Sequence, residues 1–268
     1  MKKDNKKRVV LITGASSGIG LATAKMYAQN GFVVYGLARN NFVTSDFNYK
    51  ICDVTNKDMI NSVVEEIFNK EGSIDILVNC AGMGISGSVE NTPTEKIQKI
   101  FDVNFLGTVN MCQAILPYMR QNKTGHIINI SSVAGELTIP FQTFYSATKS
   151  ALQSFSTGLF MEVKPFGIKV ACVLPGDTKT GFTSAREKNS ADDKSYGNRI
   201  NKSIATIEKD EQNGMTPESV AKVIFKVSKK KNPKMINVVG AKYKFFCFLK
   251  KILPSKLVNK ILYILYAK

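Results

Sequence analysis

Val9-Val-Leu-Ile-Thr-Gly-Ala-Ser-Ser-Gly-Ile-Gly20 decides how this chain is built. An apolar, largely β-branched run meets three glycines spaced Gly-x-x-x-Gly-x-Gly, and helix-length sequence follows. A continuous apolar run of this kind, without alternation, reads as a strand covered on both faces. Gly14, Gly18 and Gly20 let the backbone of the strand-to-helix turn approach a pyrophosphate, whose charge would sit over the helix N-terminus. The lysine-rich start looks superficially like a secretory leader, but the apolar run ends at Thr13-Gly14 and is too short for one. No stretch reaches the ~20 apolar residues needed to cross a bilayer.

Outward from this turn, apolar runs keep alternating with helix-length segments. Strands are expected at Val9 to Thr13, Val33 to Ala38, Tyr49 to Asp53, Ile74 to Asn79, His126 to Ile130, Lys169 to Val173 and Ile236 to Val239. Thr92-Pro-Thr-Glu95 reads as a capping threonine, a proline at the first helical position and a capping-box glutamate, opening a helix that runs towards Tyr118. Thr216-Pro-Glu218 repeats the start. Between Thr183 and Gly214 the sequence turns polar with little β character, as a mobile insertion over a site would. The expected fold is α/β: a single-domain, doubly wound parallel sheet over residues 9–240, with helices on both faces. A basic arm, 1–8, precedes it and a lysine-rich tail, 241–268, follows.

The formal charge of +16 over 268 residues suggests nucleic acid until it is divided along the chain. Residues 219–268 hold thirteen lysines and no acid, residues 1–8 carry +4, and the body between them is −1. The basic balance therefore belongs to appended segments and not to a nucleic-acid groove. Five widely spaced cysteines (Cys52, Cys80, Cys112, Cys172, Cys247) with no Cys-x-x-Cys pair read as reduced structural thiols of a cytoplasmic protein, without a metal site. His126 is the single histidine, which disfavours zinc ligation and a serine–histidine triad. Acid/base chemistry then falls to Tyr, Lys or carboxylates.

Tyr145-Ser-Ala-Thr-Lys149 supplies such a pair. A phenol and an ammonium four residues apart face the same side of one helix, and a nearby cation favours the phenolate. Ser132 stands thirteen residues upstream of Tyr145, with Ser131 as its neighbour.

Thr13-Gly14-x-x-x-Gly18-x-Gly20, Asn79-Cys-Ala-Gly82, Asn104, Ser132, Tyr145-x-x-x-Lys149 and Pro175-Gly176 resemble, in order and spacing, the short-chain dehydrogenase/reductase family. That resemblance implies a Rossmann-type fold and hydride transfer between a nicotinamide and a carbonyl or secondary alcohol. It implies that Tyr145 exchanges the proton with the substrate oxygen and that Ser132 hydrogen-bonds the same atom. Lys149 would lower the Tyr145 pKa and bind the nicotinamide ribose, and Asn104 would hold a water linking Lys149 to solvent. It also implies a cofactor site at Gly14, Ser16, Ser17, Gly18, Ile19, Gly20, Asp53, Val54, Asn79, Ala81, Gly82, Pro175, Gly176, Thr178 and Thr180. Cys80 departs from the family's common Asn-Asn-Ala-Gly. At the end of the second strand Ala38 stands where NAD-specific sites place an acid, and Arg39 follows. An arginine grips a 2′-phosphate with charge-assisted bonds, so NADP(H) is the expected cofactor, with NAD(H) the alternative.

The substrate walls implied by the family fall at Met83, Ile139, Phe141 and Phe182, with Ile85, Leu137 and Phe144 beside them, which gives an apolar pocket if these side chains point inward. The segment from Asn79 to Phe182 is most similar to the estradiol 17-beta-dehydrogenase and retinol dehydrogenase branch. A steroid, retinoid or long-chain lipid is the expected substrate. The alternatives are a 3-oxoacyl-carrier-protein reductase and a non-catalytic NADP-binding regulator or scaffold. In the tail, Phe245, Phe246, Phe248, Leu249, Ile252 and Leu253 share one helix face opposite Lys244, Lys250 and Lys251. Pro254 interrupts, and Leu257, Val258, Ile261, Leu262, Ile264 and Leu265 form a second face. Such a helix lies on an anionic membrane or packs on the core or a partner subunit, and the sequence leaves both open. The family resemblance also implies a homodimer or homotetramer.

Overall fold

A computed structural model describes residues 7–189 and 194–268. Seven parallel strands form the sheet: β1 (Val9–Thr13), β2 (Val33–Ala38), β3 (Asn48–Ile51), β4 (Ile76–Asn79), β6 (Gly125–Ile130), β7 (Ile168–Pro175) and β9 (Ile236–Val239). Their order is β3-β2-β1-β4-β6-β7-β9, so the chain reverses direction across the sheet between β1 and β4. Ligands of open α/β sheets bind outside the carboxyl ends of the strands at such a point.

Alternate residues of β1 enter two different cores, which explains the unbroken apolar run. Val9 and Leu11 pack with Ile60, Val64 and Ile67 of α2 (Lys57–Glu71) and with Met111 and Ile115 of α4 (Gly107–Gln121). Val10 and Ile12 pack on the opposite face with Ala24 and Tyr27 of α1 (Gly18–Gln29) and with Val220 and Ile224 of α8 (Pro217–Ser228). Each face also carries its own polar links. Tyr27 donates to Ser228 Oγ at 2.6 Å, and a buried chain runs from Asn79 Nδ2 to Asn129 Oδ1 (2.9 Å) and from Asn129 Nδ2 to Ser156 Oγ (2.8 Å). All five cysteines are free, four of them buried and Cys80 half-buried, and burial pushes each thiol above its ordinary range.

Some elements differ from the expectation. The helix expected after Thr92 begins later, as α3 (Thr94–Phe101), because the Thr92 hydroxyl donates to the Ser88 carbonyl (2.6 Å) and caps nothing. A wide π turn, Asp102–Leu106, then joins α3 to α4. Thr216 does cap α8, accepting from Ser219 N at 3.3 Å. The segment read as lacking β character contains a strand, β8 (Glu187–Asn189), which pairs in parallel with β5 (Ile85–Gly87). It also contains α6 (Phe182–Ala185) and α7 (Arg199–Gln212). Residues 190–193 of that segment, and residues 1–6 of the basic arm, lie outside the described residues. The chain closes with α9 (Ala241–Ile252) and α10 (Ser255–Tyr266), separated at Pro254. No described helix is long and apolar enough to cross a membrane, and the described residues contain no cluster of potential metal ligands.

Candidate active site

A cavity of about 650 Å³ opens at the carboxyl ends of β1, β4, β6 and β7. Its floor is the glycine turn, and the turn is built too tightly for side chains. A Cβ on Gly14 would stand 2.9 Å from Ala81 N, and one on Gly20 would stand 2.1 Å from the Gly14 carbonyl oxygen. Thr13 Oγ1 accepts from both Cys80 N and Ala81 N (3.0 Å each), which holds the exit of β4 against the turn. The first turn of α1 carries no acid, so its unpaired N–H groups and positive dipole end face the cavity uncompensated. Glycines that leave bare backbone beside an acid-free helix start fit the pyrophosphate of a dinucleotide.

Of the residues expected to hold a cofactor, Gly14, Ser16, Ser17, Gly18, Ile19, Gly20, Arg39, Val54, Ala81, Gly82, Pro175, Gly176, Thr178 and Thr180 line this cavity. Arg39 is exposed at its rim. Two do not line it. Asn79 is buried and committed to Asn129, bracing β4 against β6, and the Asp53 carboxylate is taken up by the Thr55 amide (2.9 Å) and hydroxyl (2.8 Å).

The candidate catalytic side chains stand on α5 (Thr143–Val163) and on the loop after β6. Tyr145 and Ser132 share a side-chain hydrogen bond, and Ser132 Oγ also accepts from Ala134 N at 3.1 Å. Lys149 Nζ lies 5.7 Å from the Tyr145 ring centroid and donates to the Ile130 carbonyl (3.0 Å). The Ser131 hydroxyl points elsewhere, donating to the Lys149 carbonyl at 2.8 Å. Asn104, fully buried in the π turn, accepts from Met83 N (2.8 Å) and donates to Met83 O (2.9 Å) and Thr148 Oγ1 (3.1 Å). Its side chain therefore clamps the loop after β4. A Cβ on Gly82 in that loop would fall 3.4 Å from Asn104 Oδ1 and 3.6 Å from Lys149 Nζ, so both groups converge there.

Burial governs the protonation of this cluster. It pushes Lys149 down to about 8 and Tyr145 up to about 12, the latter opposed by the Ser132 hydrogen bond. The further charges acting on Tyr145 are Glu211, Arg186 and Asp177. Glu211 lines the cavity from α7, forms an ion pair with Arg186 and accepts from Thr183 Oγ1 at 2.7 Å. Sequence reasoning missed it, because a glutamate in a polar segment gives no signal until the fold brings the segment over the site.

Ile139, Leu137 and Phe182 wall the far end, the Phe182 ring 5.7 Å from that of Tyr145. Met83 and Phe141 do not belong to that wall. The backbone of Met83 is gripped by Asn104, and Phe141, at φ 60°, turns its ring under α7 to pack on Ile200, Ile204 and Ala267. Their place is taken by side chains of the tail, including Phe246, Leu249, Leu253, Leu262 and Leu265. Tyr243 fixes α9 over the loop after β7: its ring packs where a Gly176 side chain would stand, and its hydroxyl donates to Asp177 Oδ2 at 2.5 Å.

Comparison with known proteins agrees with this geometry. Residues 8–191 match the family model of the short chain dehydrogenases. A 3-ketodihydrosphingosine reductase from Bacteroides thetaiotaomicron is 41% identical over 264 residues, covering 97% of this chain and 98% of that protein. The crystal structure of a short-chain dehydrogenase from Streptomyces avermitilis superposes with a TM-score of 0.83 at 28% identity, covering 98% of this chain and 97% of the other. A serine dehydrogenase complexed with NADP+ gives 0.75 at 26% identity, over 86% of this chain and 94% of that one.

Proposed function

The chain belongs to the short-chain dehydrogenase/reductase family and is an NADP(H)-dependent oxidoreductase, and from that premise we propose that it reduces the ketone of a long-chain lipid. One observation carries the substrate class: the hydroxyls of Ser132 and Tyr145 open into a cavity whose distant wall is the apolar face of two C-terminal helices. An alkyl chain is longer and narrower than a fused-ring steroid, and a wall of flexible Leu, Ile and Phe side chains suits it. The similarity to the sphingoid-ketone reductase supports the same choice among the steroid, retinoid and lipid classes.

The chain's own residues divide the work. Tyr145, its phenol held protonated at neutral pH, gives its proton to the carbonyl oxygen, while the Ser132 hydroxyl donates to the same oxygen as charge develops there. The Lys149 ammonium returns that proton to Tyr145 and regains one from solvent through a water that Asn104 would hold beside Gly82. NADPH, when bound, supplies the hydride; the glycine turn, Arg39, Val54 and the Pro175–Thr180 loop are the groups that would hold it. The same reading has the chain as a homodimer or homotetramer with residues 241–268 against an anionic membrane.

NADPH oxidation is to be followed with 3-ketodihydrosphingosine, a steroid ketone, retinal and a 3-oxoacyl thioester. The long-chain keto lipid should give the highest kcat/KM. Preference for the acyl thioester would favour the carrier-protein reductase instead, and failure to turn over any carbonyl would favour the non-catalytic regulator.

A further inference from the structure

We propose that α9 and α10 form a portal that seats the mouth of the cavity on an anionic bilayer, so that a long-chain substrate passes from membrane to Tyr145 along a continuous apolar surface. The inference rests on the reading of the substrate as a lipid and adds where that lipid enters. Its basis is one juxtaposition: the two helices present one set of apolar side chains to the cavity and a second set, more than half exposed, to solvent.

Phe246, Ile261 and Leu265 line the cavity, with 38%, 43% and 57% of their surface exposed. Beyond them, Phe245, Phe248, Ile252 and Ile264 are each more than half exposed, at 57%, 57%, 60% and 53%. Isolated exposed apolar residues are ordinary, but a contiguous set around the mouth of a cavity marks an interaction surface. This surface does not belong to a loose tail. Tyr243 is bonded to Asp177, Cys247 is buried among Cys172 and Leu174, Tyr266 donates to Asp210 Oδ2 (3.3 Å), and Arg199 Nε donates to the Ala267 carbonyl (2.8 Å). The helices are thus pinned to the domain at both ends and present the apolar stretch outward.

Charge selects the occupant. Residues 241–268 carry seven lysines and no acid. An isologous contact with a second copy would set this patch against itself, lysine facing lysine. An anionic bilayer accepts both features, the apolar side chains in the acyl boundary and the ammonium groups among the headgroups.

The test uses the full chain and the variant F245S/F248S/I252S, whose altered side chains lie outside the cavity wall. Flotation with vesicles of phosphatidylcholine, with or without phosphatidylglycerol, reads docking independently of turnover. NADPH oxidation with a short water-soluble ketone and with a long-chain ketone in the same vesicles reads delivery. The wild-type chain should float with the phosphatidylglycerol vesicles and much less with phosphatidylcholine alone. The variant should lose about tenfold or more of its vesicle-bound activity while its kcat/KM on the soluble ketone stays within about twofold. Retained vesicle activity in the variant overturns the portal, as does a wild-type chain that stays off anionic vesicles. A variant that instead dissociates to smaller oligomers overturns it in favour of a second copy. Flotation that is lost in the variant, with no turnover of either ketone by the wild type, overturns the reductase reading and leaves the membrane surface standing.

Discussion

At Tyr145, environment and sequence disagree in an informative way. Four-residue spacing puts Lys149 beside the phenol, yet burial acts on both, raising one and lowering the other. A phenol that stays protonated suits ketone reduction, which consumes a proton at the oxygen. Tyr145→Phe should lower kcat by about a hundredfold or more while leaving the NADPH dissociation constant nearly unchanged, as read by fluorescence titration. Lys149 carries the complementary cost. Its folded pKa of about 8 lies below its ordinary 10.5, so the penalty for burying its charge is complete below about pH 8 and fades as pH rises towards 10.5. Lys149→Met should therefore stabilise the cofactor-free protein at neutral pH, by something on the order of 1–3 kcal/mol, with the gain shrinking at alkaline pH and activity lost throughout. Urea unfolding across that range checks the sign. Arg39→Ala should weaken NADPH by about tenfold or more and NADH little, since only the 2′-phosphate offers the guanidinium a bidentate partner.

Among the elements, the glycine turn was the most legible in the sequence, because backbone geometry there tolerates one residue type. Gly20→Ala would drive a Cβ into the Gly14 carbonyl, a backbone atom that cannot swing aside. It should cost about 1–3 kcal/mol in denaturant unfolding and weaken NADPH binding with it. The inner strands β1, β4 and β7 were legible for a related reason, since each is a mainly apolar run covered on both faces. Less legible was β8, three polar residues (Glu187–Asn189) whose pairing with β5 no periodicity announces. The expected start failed at Thr92 because its hydroxyl donates to the Ser88 carbonyl and accepts no N–H of the helix start. Phe141 shows the limit for site residues: its place next to Ile139 is visible in sequence, but the positive φ that turns its ring away is not. Glu211 and Tyr243 reach the site only through long-range packing, which a single chain read locally does not reveal.

The whole molecule segregates its charge, with a nearly neutral body and cationic ends. Truncation after Gly240 should leave the seven strands intact, but it removes Cys247 from beside Cys172 and Leu174 and strips the cavity of one wall. The expected result is a fall of several degrees in melting temperature together with a larger loss on long-chain than on short-chain ketones. The buried thiols have a practical consequence for such measurements. Cys247 is on α9, whereas Cys172 lies in β7 and Cys112 in α4 packed against the sheet. A thiol-modifying reagent should thus reach half-buried Cys80 at the cavity of the native protein first, label Cys247 when the terminal helices detach, and reach Cys112 and Cys172 only on global opening. The chain carries its own timers for the order in which it comes apart, readable residue by residue in a mass spectrometer without adding a probe.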